Sequence, residues 1–325
     1  MTKYIKEQLI KKLAPGKFIS GQQIGDELGV SRAAVSKHIA SLNDMGLDVF
    51  SVTGKGYRLA QPVDLLDKSK ILSNLSSSAL SSKVEVHTII DSTNSYLMRR
   101  MPVHTKQNQV CVAEFQSAGR GRRGRQWISP FGSHLYFSMY RYLEQGMSGA
   151  MGLSVATALA INDVMKSLYD IEVELKWPND IYLNGKKLAG VLIDLEGQAL
   201  EPCHSVIGIG LNINMPAASA QAIDQPWTDL QSCINEKVDR NLVAAKLASC
   251  LIERLNEHQK NGILHMVDDW QRLDRFYGKQ VKLITGDKET FGICRGINNQ
   301  GALLLEVNKE IRPVYGGEVS LRGAE

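Results

Sequence analysis

The stretch from Gln109 to Tyr140, QVCVAEFQSAGRGRRGRQWISPFGSHLYFSMY, carries the pattern on which the fold turns. It contains Gly119-x-Gly121-x-x-Gly124, the spacing of a dinucleotide fingerprint. In a dinucleotide-binding βαβ unit such a loop runs directly into an apolar helix, whose N-terminus receives the pyrophosphate. Here it is followed by Arg125-Gln-Trp-Ile-Ser-Pro130, which is not helical, and then by the strand-like run His134–Tyr140. The flanks therefore predict a glycine-rich loop between two strands and exclude the dinucleotide fold. Arg120, Arg122, Arg123 and Arg125 make that loop strongly cationic. A loop of this kind is expected to be mobile when empty and to wrap an anion with backbone N–H groups and guanidinium forks. Trp127 can stack on a ring or cover the site. Composition alone fits an arginine-rich nucleic-acid arm equally well.

Outward from the loop, strands and helices mix. KVEVHTII (83–90) alternates as a strand and runs into Asp91-Ser92-Thr93-Asn94, capping residues at the start of a predicted helix. GAMGLSVATALAINDVMKSLYD (149–170) has the periodicity of a buried helix. In EVELKWPNDIYLNGKKLAGVLIDLEG (172–197), Asn184-Gly185 predicts a type I′ hairpin with Leu183 opposite Lys186 and Tyr182 opposite Lys187. Simple alternation then places Lys187 on one face with Ala189 and Val191. Lys176-Trp-Pro-Asn-Asp180 stands just before that hairpin. SVIGIGLNIN (205–214) reads as a strand whose Gly208 and Gly210 leave room for a flat ligand against the backbone. GKQVKLITGDKETFGICRGINNQGALLLEV (278–307) and VYGGEVSLR (314–322) read as short strands with glycine turns.

The first sixty residues have a different character. They hold nine Lys/Arg against five Asp/Glu, a surplus equal to the formal net charge of +4 of the whole chain. A basic segment of domain size on a neutral body points to a polyanion partner. Ser20-Gly-Gln-Gln23 opens a short helix, Gly29 turns the chain, and Ser31 caps a second helix with Val35, Ile39 and Leu42 on its apolar face. Its opposite face shows Arg32, Ala33, Ser36 and Lys37. VFSVTGKGYRLA (49–60) then reads as a hairpin with Lys55 at the tip. Helix, helix and hairpin form a winged helix-turn-helix, in which Ser31, Arg32, Ala33, Ser36, Lys37 and Lys55 are the candidate DNA contacts. The competing reading is a small helical interaction domain with solvated lysines. Residues 63–82 read as a linker with one short helix and a serine-rich, poorly structured end.

Composition closes off other classes. No run of about 18 apolar residues occurs, so no membrane span is expected, and the N-terminus lacks the apolar core of a signal peptide. The five cysteines are scattered without a CxxC pair, which predicts reduced packing residues in the cytoplasm.

Taken in order, Asp91-Ser-Thr-Asn94, Gly119-Arg-Gly-Arg-Arg-Gly124, Lys176-Trp-Pro-Asn-Asp180, Lys187-Leu-Ala-Gly190 and Gly208-Ile-Gly-Leu-Asn212 resemble biotin–protein ligases. With the winged helix in front, nearly the whole chain resembles the bifunctional type that is also a biotin operon repressor. The resemblance implies an α+β multidomain protein: a winged helix-turn-helix (1–62), a linker (63–82), a mixed α/β catalytic domain (83–272) and an SH3-like small β-barrel (273–325). It implies that biotin and ATP give biotinyl-5′-AMP, with Mg²⁺ accompanying ATP, and that a lysine of the biotin carboxyl carrier protein takes the biotin. The adenylate would also be the corepressor of a homodimer that binds operator DNA. The implied biotin and adenylate residues are Ser92, Thr93, Asn94, Gln116, Gly119, Arg120, Gly121, Arg122, Trp127, Lys176, Asn179, Asp180, Lys187, Gly190, Gly208 and Arg322. Of these, Lys187, Arg120 and Arg122 would carry catalysis, and Lys187 would be an electrostatic clamp rather than a nucleophile. Trp227 lies in a segment that would fold over the adenylate. No carboxylate cluster identifies Mg²⁺ ligands, so these are left unassigned. A pocket-bearing sensor without catalysis and a lipoyl-type ligase are the alternatives.

Overall fold

The computed structural model describes residues 2–101, 103–198, 201–316 and 319–323. Gly317 and Glu318, within the last predicted strand segment, and the terminal Met1, Ala324 and Glu325 lie outside the described residues. Helices α1 (Thr2–Leu13), α2 (Gly21–Leu28) and α3 (Arg32–Asn43) precede a hairpin of β1 (Val49–Val52) and β2 (Gly56–Leu59). Ser20 caps α2 by accepting from the Gln23 amide, and Ser31 caps α3 by accepting from the Ala34 amide. Gln23 does not close the reciprocal half of a capping box, because its side chain donates to Glu27 instead. Gly29 ends α2 in the left-handed region (φ 66°), where glycine is tolerated without a Cβ clash. Val35, Ile39 and Leu42 are buried, whereas Arg32, Ala33, Ser36 and Lys37 are all exposed. The helix thus buries the face its periodicity predicted and presents the other.

The expected linker is more ordered than its composition suggests. Helix α4 (Lys68–Ser73) is capped by Asp67, which accepts from the Lys70 amide at 2.9 Å. Leu66, Ile71, Leu75 and Ala79 all enter the main hydrophobic core. The Ser76 amide donates to Ser249 Oγ at 3.0 Å. The serine-rich end, expected to be poorly structured, forms a 3-10 turn at Ser77–Ala79, because four apolar residues at near-helical spacing outweigh the serines.

The central sheet is built from β3 (Val84–His87), β4 (Val110–Ala113), β5 (His134–Leu143), β6 (Glu174–Lys176), β7 (Asp180–Leu183), β8 (Lys186–Glu196) and β9 (Cys203–Asn212). Its order is β3-β4-β5-β9-β8-β7-β6, antiparallel throughout except for the β3–β4 pair. Helix α5 (Thr93–Met98) lies against one face. The other face is covered by α6 (Leu153–Tyr169) and α8 (Arg240–Asn261), with the short α7 (Ala217–Ala220) between β9 and α8 in sequence. Along β5 the alternation is explicit: Leu135, Phe137 and Met139 join the main core, while Tyr136 and Tyr140 join Leu97 of α5. Helix α9 (Val267–Leu273) leads into a five-stranded antiparallel sheet of β10 (Gln280–Thr285), β11 (Lys288–Ile297), β12 (Leu303–Val307), β13 (Glu310–Val314) and β14 (Val319–Gly323). Its order is β13-β12-β11-β10-β14. A register shift between Cys294 and Ile297, with Gly296 at φ 79°, bends β11, the device by which small barrels curl.

Specific contacts join the flanking segments to the central domain. Phe131 is buried in the core of the winged helix with Leu42, Met45 and Leu59, and its amide donates to Met45 O at 2.8 Å. Beside it, the buried Arg240 pairs with the buried Glu114 at 2.7 Å and donates to Asp64 O at 2.6 Å. Leu66 N donates to the other oxygen of Glu114. On the far side, the indole of the buried Trp177 donates to Gly301 O at 3.0 Å, anchoring a turn of the C-terminal sheet.

Candidate active site

The arginine loop and the KWPND segment meet over one cleft of about 1040 Å³. Of the residues singled out from sequence, Ser92, Thr93, Asn94, Gln116, Arg120, Gly121, Arg122, Trp127, Lys176, Asn179, Asp180, Lys187, Gly190 and Gly208 all line it. Gly119 and Arg322 do not. Gly119 instead closes the stem of the loop, where a Cβ would lie 2.5 Å from Ser129 Oγ and from Trp127 O. Arg322 is exposed on β14, close enough for its charge to bear on Lys176 and Tyr182, and the neighbouring Ser320 and Leu321 line the cleft. Trp227 is not in the lining either, but its segment runs beside the strand that bears Lys187. Lys187 N donates to Pro226 O at 3.1 Å and Thr228 N to Lys187 O at 2.9 Å.

One end of the cleft is a polar network of hydroxyls and amides that ends on the Asp194 carboxylate. The Thr93 amide and hydroxyl donate to Gln116 Oε1 at 2.9 and 3.2 Å. Ser138 Oγ is placed against both Thr93 Oγ1 (2.7 Å) and Asn94 Oδ1 (2.6 Å). Asn94 Nδ2 donates to Leu192 O at 3.1 Å and Asp194 Oδ2 at 2.9 Å. Gly208 is required here, because a Cβ would lie 2.2 Å from Asn94 Oδ1.

The loop itself is a small hairpin. Gly121 N donates to Arg125 O at 2.7 Å and Trp127 N to Gly119 O at 2.9 Å. Arg123 (φ 58°) and Gly124 (φ 70°) both occupy left-handed backbone, and Arg125 N donates back to Arg122 O at 3.2 Å; this is type I′ turn geometry. Arg120 pairs with Asp194, and Arg122 Nη1 donates to Asn179 Oδ1 at 2.9 Å. Burial lowers the pKa of Arg122, yet guanidinium stays charged at any working pH. The indole of Trp127 rests where Gly190 and Gly210 have no side chains: Cβ atoms there would lie 3.1 and 2.4 Å from it.

Lys187 sits between these two regions. The Asn184-Gly185 turn forms as predicted, with Leu183 opposite Lys186 and Tyr182 opposite Lys187. Beyond it the register shifts, so that Ile181 pairs with Ala189. The extra residue reverses the phase of the strand. Lys187 therefore does not share a face with Ala189 and Val191, as simple alternation predicted. Its Cε and Nζ instead approach the position of a Cβ on Gly190, at 3.4 and 3.6 Å. Lys187 Nζ lies 2.7 Å from Asp180 Oδ1 and 5.6 Å from the centroid of Trp127. Lys176, also in the cleft, donates to Tyr182 OH at 3.3 Å. Burial first, and then the fields of Lys187, Arg322 and Arg275, lower its pKa from 10.5 against the opposing pull of Asp180. An anion entering here would relieve that repulsion.

Ser138 and Asp194 were not anticipated from sequence. Each carries a faint signal, a hydroxyl within HLYFSMY and an acid within GVLIDLEG, both apolar strand runs. Among the described residues no group of three metal-ligating side chains occurs, and Asp180 is the one carboxylate in the described lining.

The chain thus joins a winged helix-turn-helix to a domain whose cleft sets a polar network beside a cationic loop. Comparison with known proteins narrows the class. The biotin/lipoate A/B protein ligase family matches residues 86–212, an HTH domain matches 6–58, and the biotin protein ligase C-terminal domain matches 276–322. The bifunctional ligase/repressor BirA of Salmonella typhimurium is 48% identical over 98% of this chain and 97% of its own. That of Escherichia coli is 47% identical over the same shares. The biotin protein ligase of Aquifex aeolicus, solved with biotin and ATP, superposes with a TM-score of 0.63 at 26% identity, covering 74% of this chain and 99% of that one. The chain belongs to the family of bifunctional biotin ligase/repressors. Among the described residues no helix is long and apolar enough to cross a membrane.

Proposed function

We propose that the cleft joins biotin to ATP and that the chain, loaded with the product, represses transcription. The observation that carries this reading is Lys187, held by Asp180 and set between the hydroxyl-and-amide network and the arginine loop. Ser92, Thr93, Asn94 and Gln116 suit the uncharged head of biotin, with Gly208 admitting Asn94 and Gly190 admitting Trp127 against the sheet. A carboxylate oxygen of biotin attacks the α-phosphorus of ATP, the bond to the leaving oxygen breaks, and pyrophosphate departs. Lys187 bridges the biotin carboxylate and the α-phosphate, where its charge offsets the negative charge gathered in the transition state. Arg120, Arg122 and the backbone around Gly121 hold the phosphate, with Gly119 closing the stem of their loop, and Trp127 covers the mixed anhydride from water. Asn179 and Asp180 border the nucleotide, with Lys176 and Arg322 on its phosphate side. Mg²⁺ accompanying ATP would supply charge neutralisation at the phosphates, and Asp180, the one carboxylate in the described lining, would be its neighbour among the protein groups.

In the second step the ε-amine of a lysine on the biotin carboxyl carrier protein attacks the acyl carbon. The carbon–oxygen bond to the phosphate breaks, AMP leaves and the amine loses a proton. The same adenylate favours a homodimer through a sheet edge that otherwise meets the carrier, so biotinylation and repression compete. Two copies of α3 then address a palindromic operator through Ser31, Arg32, Ala33, Ser36 and Lys37, with Lys55 on each wing. We place the domains at 1–62, 83–272 and 273–325, with 63–82 as a packed connector, and the protein in the cytoplasm.

The test is transfer. Full-length protein with ATP and labelled biotin should label a biotin carrier domain, and a carrier whose acceptor lysine is replaced by arginine should stay unlabelled. Operator retention should require biotin and ATP together. Labelling that ignores the acceptor lysine would overturn the reading.

A further inference from the structure

The two-stranded wing is extended by a third segment through one β-bridge. Ile19 exchanges backbone hydrogen bonds with Tyr57, 2.9 Å in each direction, adding the segment before α2 to β2. Gly56 makes this approach possible, since a Cβ there would lie 2.1 Å from Ile19 O. On one face of this sheet Tyr57 and Leu59 turn toward the helices, and Leu59 is buried. On the other face Phe50 is the direct cross-strand partner of Arg58, and Phe18 flanks it from the bridged segment before α2. The result is a row, Phe18–Arg58–Phe50, with the guanidinium carbon 5.0 and 5.5 Å from the two ring centroids.

Nothing internal explains this row. Phe18, Phe50 and the adjoining Val52 are 37, 44 and 40% exposed. The Arg58 side chain makes no hydrogen bond or ion pair among the described residues, and its Nε is buried without a partner. Lys55, at the tip, stands 5.9 Å over the ring of Phe18. Lys17 is exposed beside Phe18. None of Lys17, Lys55 and Arg58 has a carboxylate within ion-pair distance among the described residues, and neither 14–20 nor 49–59 contains an acidic residue. Rings that flank a guanidinium limit its rotamers and leave its N–H edges to donate. That is the preparation a phosphate contact needs, since ordering a free arginine on binding would consume much of the gain.

We propose that Phe18, Arg58 and Phe50 form a second DNA-backbone site on the wing, in which Arg58 is held ready for a phosphate beyond the reach of α3. The proposal rests on the DNA-binding reading but is separable from it. The site extends the footprint of each protomer along the duplex and contributes affinity that does not depend on base sequence.

The experiment uses full-length protein with biotin and ATP. The probes are an operator duplex selected from a random pool by the wild-type protein and a shuffled duplex of equal length, titrated by anisotropy at several salt concentrations. Arg58→Ala should weaken binding to both duplexes on the order of tenfold, with the salt slope reduced by about one. Arg58→Lys should keep the slope, and Phe18→Leu with Phe50→Leu should lose affinity while keeping it. Biotin transfer activity should be unchanged in all three, which also reports that the variants fold. Wild-type affinity and slope in Arg58→Ala would overturn the proposal. Failure of the wild-type protein to bind any selected duplex would instead overturn the DNA-binding reading itself.

Discussion

Two basic glycine turns, Thr53-Gly-Lys-Gly56 and Gly119-Arg-Gly-Arg-Arg-Gly124, look alike in composition and do different things. Both join antiparallel strands, and both rely on left-handed glycines at their tips, Gly54 at φ 81° and Gly124 at φ 70°. They differ in what their cations meet. Arg120 and Arg122 have acceptors inside the protein, Asp194 and Asn179, and they roof a cleft. Among the described residues, Lys55 and Arg58 stand against aromatic rings and meet no carboxylate. Composition says that a loop seeks an anion. Only the surroundings say whether that anion is a small molecule enclosed by the fold or a polymer lying across it. The two turns are also physically connected, because the loop ends at Pro130-Phe131 and Phe131 is buried under the wing with Leu59.

The comparison breaks most directly at Lys187. Lys187→Ala should lower biotin-dependent adenylate formation on the order of 10²–10³-fold, the usual effect of removing one electrostatic stabiliser. Biotin binding measured by calorimetry should change far less. Operator binding with preformed biotinyl-5′-AMP should persist, and equal losses in all three would mean that the lysine is structural. At the junction of the two turns, Phe131→Ala should destabilise the docked winged helix by about 3 kcal/mol, the cost of emptying a buried phenyl site. It should be visible as a separated low-temperature transition in calorimetry; a single unshifted transition would show that the contact does not bind the domains together. Arg122→Ala should weaken ATP use by roughly tenfold to a hundredfold through the loss of a charge-assisted hydrogen bond, with biotin affinity retained. The smallest effect concerns pH. The Lys176 ammonium has a pKa lowered from 10.5, so its charge is lost earlier on the alkaline side than that of a solvated lysine. Since the protonated form attracts phosphate, KM for ATP should rise as pH climbs through that lowered value. Lys176→Met should flatten the rise, and an unaltered profile would remove Lys176 from the phosphate site.

Periodic and capping signals carried over well from sequence to structure. Ser31, Val35, Ile39 and Leu42 defined α3 and its buried face, and Asn184-Gly185 defined its hairpin, because each depends on neighbours a few residues away. What sequence could not supply depends on distant partners. The bulge after Lys187 arises from pairing with β7, and it carries the lysine to the face of Gly190. Gly119 matched the motif but serves the stem of the loop, since what it must avoid is Ser129 and Trp127. The serine-rich connector looked loose because its partner, α8, lies some 170 residues further along the chain. Ser138 and Asp194 were passed over because a lone polar residue in an apolar strand has meaning only once Asn94 is known to face it.

Closure of the arginine loop and Lys187 over an adenylate made in the cleft is tested by isotope exchange between pyrophosphate and ATP, run on the full-length protein with and without biotin. Exchange that appears only with biotin, and that falls with Lys187→Ala while biotin binding survives, is the predicted result. Tight biotin binding with no exchange would contradict the account and leave a ligand sensor in place of a ligase.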